Sequence, residues 1–183
     1  MHSEKAVIIT ETKEERFKEI VDNYGLMVTN TCYGFVHSAE DANDLAQDVF
    51  IEVWKKLDFF RGESKISTWI YRIAVNKSLN HKRQYKNKVI HCALESMKEH
   101  LFSYESDSFH HDKEVKKRKL KLLHQAISKL PERQKSAFVL CYYEGLDCKE
   151  IAEITNSSIS VVESLLFRAR LNLKKKFKYR YEK

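Results

Sequence analysis

Hydrophobic positions recur along this chain with the period of a helix over most of its length. From about Lys13 to Phe35, the residues Phe17, Ile20, Val21, Tyr24, Met27 and Val28 follow the i, i+3, i+4, i+7 spacing that lays one apolar stripe along a helix. Ser38 with Asp41 three residues on predicts the start of a second helix, because the serine oxygen can accept from an orphan backbone amide. Its apolar stripe is Ala42, Leu45, Val49, Val53 and Leu57, while Asp41, Asp44, Asp48 and Glu52 lie three and four apart on another face. The run Asp58-Phe59-Phe60-Arg61-Gly62-Glu63 breaks the period, with Gly62 as the stop. A third helix is expected from near Lys65 to about Tyr85, burying Trp69, Ile70, Ile73 and Ala74 and presenting Arg72, Asn76, Asn80 and Arg83 on the opposite face.

From Lys88 to Asp112 the period disappears, and Ser, His, Glu and Asp dominate. This stretch is read as a flexible linker between two small helical domains, residues 12–87 and 113–178. A fourth helix, Lys113–Lys129, carries Leu122, Leu123, Ala126 and Ile127 on one side, and Leu130 follows it. Pro131 then opens a helix that runs to about Tyr143 and is stopped by Gly145. A short helix at Lys149–Thr155, a polar turn Asn156-Ser157-Ser158 and a longer helix from Ser160 to about Tyr179 have the order of a helix-turn-helix. Ala152 is small enough to let the two helices cross closely, and Val162, Leu166, Ala169 and Leu173 form the buried face of the second.

Composition agrees with an all-α fold. The 183 residues include one proline and four glycines, where average usage would give about nine and thirteen. Sandwiches, barrels and wound sheets need more turn residues than that. No apolar run approaches the roughly 18–20 residues that span a bilayer. The leading MHSEKAVIITETKEERF has too short an apolar core for a secretory signal and is too acidic for a transit peptide, so a cytoplasmic location is expected. Cys32, Cys92, Cys141 and Cys148 form no Cys-x-x-Cys pair and are read as free thiols. His91-Cys92 with His110 and His111 matches no common zinc-ligand spacing. There is no Gly-rich phosphate loop, His-Glu-x-x-His or nucleophile motif. Neither a cofactor, a metal nor an enzymatic activity is expected.

Charge changes the picture more. Residues 1–60 hold six Lys and Arg against twelve Asp and Glu, a net −6, whereas residues 61–88 hold eight against one, a net +7. Residues 131–164 hold three against six, a net −3, and residues 165–183 again hold eight against one, a net +7. The overall +7 is therefore two basic blocks, each preceded in the chain by an acidic one. A solvated helix face is the ordinary outcome of a charge run. Two basic blocks, the first interleaved with Trp69, Tyr71 and Tyr85, favour nucleic acid, which demands phosphate neutralisation.

Leu57-Asp58-Phe59-Phe60-Arg61-Gly62, followed by Ser67-Thr68-Trp69-Ile70-Tyr71-Arg72-Ile73-Ala74-Val75-Asn76, resembles region two of the extracytoplasmic-function (ECF) RNA polymerase sigma factors. Asp41 through Trp54 is similar to the segment by which sigma factors grip the polymerase clamp coiled coil. Leu130-Pro131-Glu132-Arg133-Gln134 and Gly145 through Arg170 resemble region four. The resemblance covers about residues 15–85 and 120–176.

It implies core RNA polymerase (clamp coiled coil and flap), promoter DNA and an anti-sigma factor as partners. Asp41, Asp44, Gln47 and Asp48 would then face polymerase, with Phe50 as an apolar anchor if it is exposed. Phe60, Arg61, Gly62 and Ser64 in the loop, with Asn76, would capture a base of the minus-ten element. Bases stack on aromatic faces and hydrogen-bond to amides. Arg72, Asn80, Lys82 and Arg83 would follow along the helix. Trp69 is either a stacking wedge or, as its spacing with Ile70 and Ile73 favours, a core residue. The last helix would enter the major groove at the minus-35 element through Ser160, Val161, Glu163, Ser164 and Phe167, with phosphates held by Lys149, Arg168, Arg170 and Lys174. Glu163 and Ser160-Val161-Val162 depart from the family's usual residues there, and a glutamate accepts from a cytosine amino group. A two-domain helix-turn-helix regulator that binds duplex DNA without polymerase is the rival reading; it leaves residues 41–64 without a task.

Overall fold

The structure is a computed structural model that describes residues 12–95 and 111–181. Among these residues there are seven α-helices and no strand: α1 (Lys13–Val36), α2 (Ala39–Lys56), α3 (Ile66–Glu95), α4 (His111–Ser128), α5 (Glu132–Tyr142), α6 (Cys148–Thr155) and α7 (Ile159–Tyr181). A 3-10 turn, Leu57–Phe59, follows α2. The all-α class expected from the period is the class found.

Local chemistry sets the helix ends. Thr12 and Glu15 form a reciprocal cap on α1, the Thr12 hydroxyl accepting from the Glu15 amide at 3.2 Å and the Glu15 carboxylate from the Thr12 amide at 2.8 Å. Ser38 accepts from the Asp41 amide at 3.3 Å and starts α2 as its sequence position predicts. Between them His37 takes the left-handed conformation, φ 60°, and turns the chain back within two residues. Asp147 and Glu150 repeat the reciprocal cap at α6, which Asn156 closes with φ 49°.

The expected end of α3 near Tyr85 is too early, because the helix continues to Glu95. The added residues contain neither Gly nor Pro, so nothing stops the backbone ladder. The first residues of the expected linker 88–112 are therefore helical, α4 begins at His111, and residues 96–110, His110 included, lie outside the described residues.

α1, α2 and the start of α3 enclose one core. The α2 stripe Ala42, Leu45, Val49 and Val53, with Leu57 of the 3-10 turn, is buried throughout, against Val28 and Cys32 of α1 and Ile70 and Ala74 of α3. Burial pushes the Cys32 thiol up to about 12. A second core, from Ala126, Ile127, Leu130, Phe138, Ala169 and Leu173, ties α4 and α5 to α7.

A third core joins the two halves. Phe35 of α1 and Tyr71 and Val75 of α3 pack with Ala137, Val139 and Leu140 of α5, Ile151 of α6 and Val162 of α7. The halves are thus held by more than the chain between them. Lys135 of α5, 1% exposed, donates its ammonium to the Phe35 carbonyl at 2.6 Å and lies 5.1 Å from the Phe35 ring centroid. His37 stacks on His124 of α4 at 4.2 Å. The Tyr71 hydroxyl donates to one oxygen of Glu144 at 3.1 Å, while the other is buried with no hydrogen-bond partner. Burial raises the Glu144 carboxyl above the usual carboxylate range, and the hydrogen bonds it accepts only partly offset this.

Two outcomes are expected. A Cβ at Gly34 would lie 2.6 Å from Cγ1 of Val139, so Gly34→Ala should wedge α1 away from α5 and cost about 1–3 kcal/mol. An unchanged urea midpoint would show that the helices slide freely. Glu144 protonates more readily folded than unfolded, so its contribution is present at low pH and is lost as pH rises through the raised value. Glu144→Gln should therefore raise the thermal midpoint at pH 7 and give a smaller advantage at pH 4.5. An advantage that grows on acidification would contradict the burial argument.

Candidate polymerase and nucleic-acid interfaces

α2 presents a continuous exposed stripe. Its buried face is fully occupied by the core, so Asp41, Asp44, Gln47 and Asp48 are left in solvent, as the sequence predicts. Phe50 is half-buried, with its ring edge-on to Phe17 at 6.4 Å. The exposed apolar residue on the stripe is instead Ile51, at i+3 from Asp48 and 51% exposed. Its neighbours Val49 and Val53 mark the core register, so the period alone does not single it out. Glu52 also leaves the acidic face: its carboxylate takes Lys56 at 2.8 Å and Lys77 at 3.2 Å, tying α2 to α3. Those two lysine hydrogen bonds hold its carboxyl below the usual range.

The loop before α3 forms a cavity of about 300 Å³ whose lining includes Phe60, Arg61, Ser64, Trp69 and Arg72. Gly62 makes it possible by taking φ +73°, a conformation that side-chain-bearing residues rarely adopt. Trp69 packs on the first core, as its spacing favours, and its ring meets Phe60 at a centroid distance of 5.0 Å. Phe59, also on the rim, is 79% exposed. Its adjacency to Phe60 was the available signal, but only the 3-10 turn shows which of the two points outward.

Asn76 does not line that cavity. With Arg72 it borders a second cleft, of about 560 Å³, closed on the far side by Glu132, Arg133, Asn156 and Ser157. The Arg72 guanidinium donates to the Glu153 carbonyl at 2.7 Å, and its Nε is buried with no hydrogen-bond partner. Asn80 is exposed one turn on, Lys82 follows on the same helix, and Arg83 grips the Glu132 carboxylate through two nitrogens at 2.9 and 2.5 Å. Of the expected minus-ten residues, Phe60, Arg61 and Ser64 thus line the loop cavity, while Arg72, Asn76 and Arg83 face the other half.

α6 and α7 make the helix-turn-helix. Ser158 accepts from the Val161 amide at 3.4 Å and starts α7, whose face of Val162, Leu166, Ala169 and Leu173 is buried as expected. Ser160, Glu163, Ser164, Arg168, Arg170 and Lys174 are exposed on α7, Lys149 is exposed on α6, and Val161 is half-buried. Phe167, 60% exposed, is a large apolar group with no place in the core. Leu171, one turn on, extends it and was not anticipated. Among the described residues no cluster of three or more potential metal ligands occurs, and no helix is long and apolar enough to cross a membrane.

Comparison with known proteins matches residues 20–88 to the sigma-70 region 2 model and residues 120–173 to the sigma-70 region 4 model. The RNA polymerase sigma-H factor of Pseudomonas aeruginosa is 32% identical over 160 residues, 84% of this chain and 82% of that one. The ECF RNA polymerase sigma factor SigW of Bacillus subtilis is 30% identical over 169 residues, 90% of each. Among solved structures, CnrH in complex with the cytosolic domain of CnrY has a TM-score of 0.63 at 20% identity, covering 91% of this chain and 90% of that one. RpoE in complex with the anti-sigma factor NepR from Bartonella quintana also has 0.63, at 21% identity, covering 90% and 98%. With both regions present in order, the chain belongs to the ECF family of RNA polymerase sigma factors.

Proposed function

We propose that this sigma factor docks on the clamp coiled coil of core RNA polymerase through the α2 stripe of Asp41, Asp44, Gln47 and Asp48. Ile51 supplies the apolar contact, and Phe50 braces the stripe from beneath against Phe17. Residues 12–87 form the minus-ten unit and residues 113–178 the minus-35 unit, which also meets the polymerase flap. Transcription in the cytoplasm needs no cofactor from this chain.

The observation that carries the reading is the loop cavity. A base leaving the stack costs a few kcal/mol and needs an enclosed, partly aromatic receptacle. Phe60 and Trp69 offer ring faces, Arg61 and Ser64 offer donors, and Gly62 turns the loop between them. The basic face of α3, from Arg72 through Asn76 and Asn80 to Lys82 and Arg83, then continues along the strand. On α7, Ser160, Val161, Glu163, Ser164 and Phe167 enter the major groove, where Phe167 suits a thymine methyl and Glu163 a cytosine amino group. Lys149, Arg168, Arg170 and Lys174 hold the backbone. Since RpoE and CnrH were solved with bound partners, an anti-sigma factor is the third partner proposed here.

Two sets of variants separate docking from melting. Asp44→Lys with Asp48→Lys places like charges across the polymerase contact, which costs several kcal/mol. Affinity for core polymerase should fall by at least about tenfold, and unchanged binding in a pull-down titration would remove the docking assignment. Phe60→Ala with Asn76→Ala should retain polymerase binding and lose most permanganate reactivity in the promoter bubble. Wild-type reactivity would show that the cavity holds no base. Tight binding of duplex promoter by the chain alone would favour the regulator reading instead.

A further inference from the structure

The cleft beside Arg72 has an apolar floor and a polar mouth. Arg72, Val75, Asn76 and Leu79 line it from α3 at the i, i+3, i+4, i+7 spacing of one helix face. Val75 and Ile154 are buried, Leu79 and Leu165 are half-buried, and Asn76 and Arg133 are exposed. At about 560 Å³, between two halves of a chain, the cleft has the size and the place of a small-molecule site.

Two guanidinium groups line it with spare donors. Among the described residues Arg133 makes neither a hydrogen bond nor an ion pair. Arg72 gives one nitrogen to the Glu153 carbonyl, while its Nε is buried with no hydrogen-bond partner, and a buried donor without an acceptor is costly. Glu132, the carboxylate of the lining, is taken by Arg83 and so cancels neither guanidinium. An inorganic anion would use these donors but leave the apolar floor in water, and an uncharged apolar molecule would do the reverse. Among the described residues no aromatic side chain lines the cleft, so nothing there stacks on a nucleobase.

We infer that this cleft binds a small organic acid. Its carboxylate or phosphate-ester head lies between Arg72 and Arg133, since the guanidinium fork fits either group, and its short aliphatic body covers Val75, Leu79, Ile154 and Leu165. The site stands whether or not α3 meets the minus-ten strand, because it is a property of the free chain.

Isothermal titration of the full chain at fixed ionic strength is the test, with hexyl phosphate, hexanoate, inorganic phosphate and hexanol as probes. Hexyl phosphate or hexanoate should bind saturably, one molecule per chain, and the tighter of the two names the head. Inorganic phosphate and hexanol should each bind at least about tenfold more weakly, because each meets only part of the site. Arg133→Met keeps an aliphatic stem without the charge and should weaken the acid at least about tenfold. Leu165→Asn should weaken the acid comparably and leave inorganic phosphate within about twofold, since only the body touches it. Lys121→Met removes a charge from the exposed surface of α4, away from the cleft lining, and should leave the acid within about twofold of wild type.

Failure of both acids to bind wild type overturns the site. Inorganic phosphate binding as tightly as hexyl phosphate overturns it too, because an ion site without an apolar compartment would suffice. An Arg133→Met chain that is helical by circular dichroism and binds the acid like wild type puts the anion elsewhere and overturns the assignment. An equal loss in Lys121→Met does the same, since general charge attraction would then explain the binding. Core-polymerase binding by the same proteins reports on the sigma reading separately, and a failure there leaves the titration result standing.

Discussion

A single buried cation sets the relation between the two halves. Lys135 sits among apolar side chains of α5, 1% exposed, and an ammonium there is costly unless something replaces its water. The replacement is the C-terminal end of α1. The Phe35 carbonyl accepts at 2.6 Å, and the unsatisfied carbonyls of a last helical turn carry partial negative charge. The Phe35 ring adds its negative face from 5.1 Å. Because α1 has no basic residue in its own last turn, the favourable cation comes from another part of the chain. That requirement seats α5 on α1, and the approach is close enough that Gly34 must lack a Cβ. Once α5 is seated, α6 lies against α3, and the side of α3 bearing Arg72 and Asn76 is covered.

Patterning alone disclosed the parts of the molecule that obey one period. The α2 stripe from Ala42 to Leu57 and the α7 stripe from Val162 to Leu173 are each buried at every expected position, because each helix has one face on a core and one in water. The same reading placed Asp44, Gln47 and Asp48 outside, and Gly62 and Gly145 do take positive φ. Where two partners compete for a helix, a single period says less. Tyr71 and Val75 sit in the core between the halves, each one position along from Ile70 and Ala74 in the first core. That stretch of α3 is apolar on two sides. Lys135 was hidden for another reason: in a run of Glu-Arg-Gln-Lys it looks like solvent-facing charge, and only its distant carbonyl explains its burial. The tie from Glu52 to Lys77 is likewise beyond local spacing, since the two lie 25 positions apart.

The arrangement separates what must be permanent from what must change. The docking stripe on α2 depends only on the first core and stays exposed whichever way the halves sit. The loop cavity likewise depends on Gly62 and Trp69, both in the N-terminal half. The surfaces proposed for polymerase recognition and for base capture are therefore both carried by the N-terminal half. Arg72 and Arg83 of α3, proposed to follow the DNA strand, are the ones whose surroundings depend on the C-terminal half.

Such a division has an energetic requirement. A closure made only of apolar burial would be hard to reverse, and one made only of exposed ion pairs would be too weak to hold. Here the shared core carries an internal opposition, because burial disfavours the charged form of Glu144 and one of its oxygens has no hydrogen-bond partner. A ligand that binds only the open form can shift such an equilibrium by no more than its preference for that form. On the proposed function, a polymerase engaging α2 on one half and the helix-turn-helix on the other would link two contacts across a fixed span.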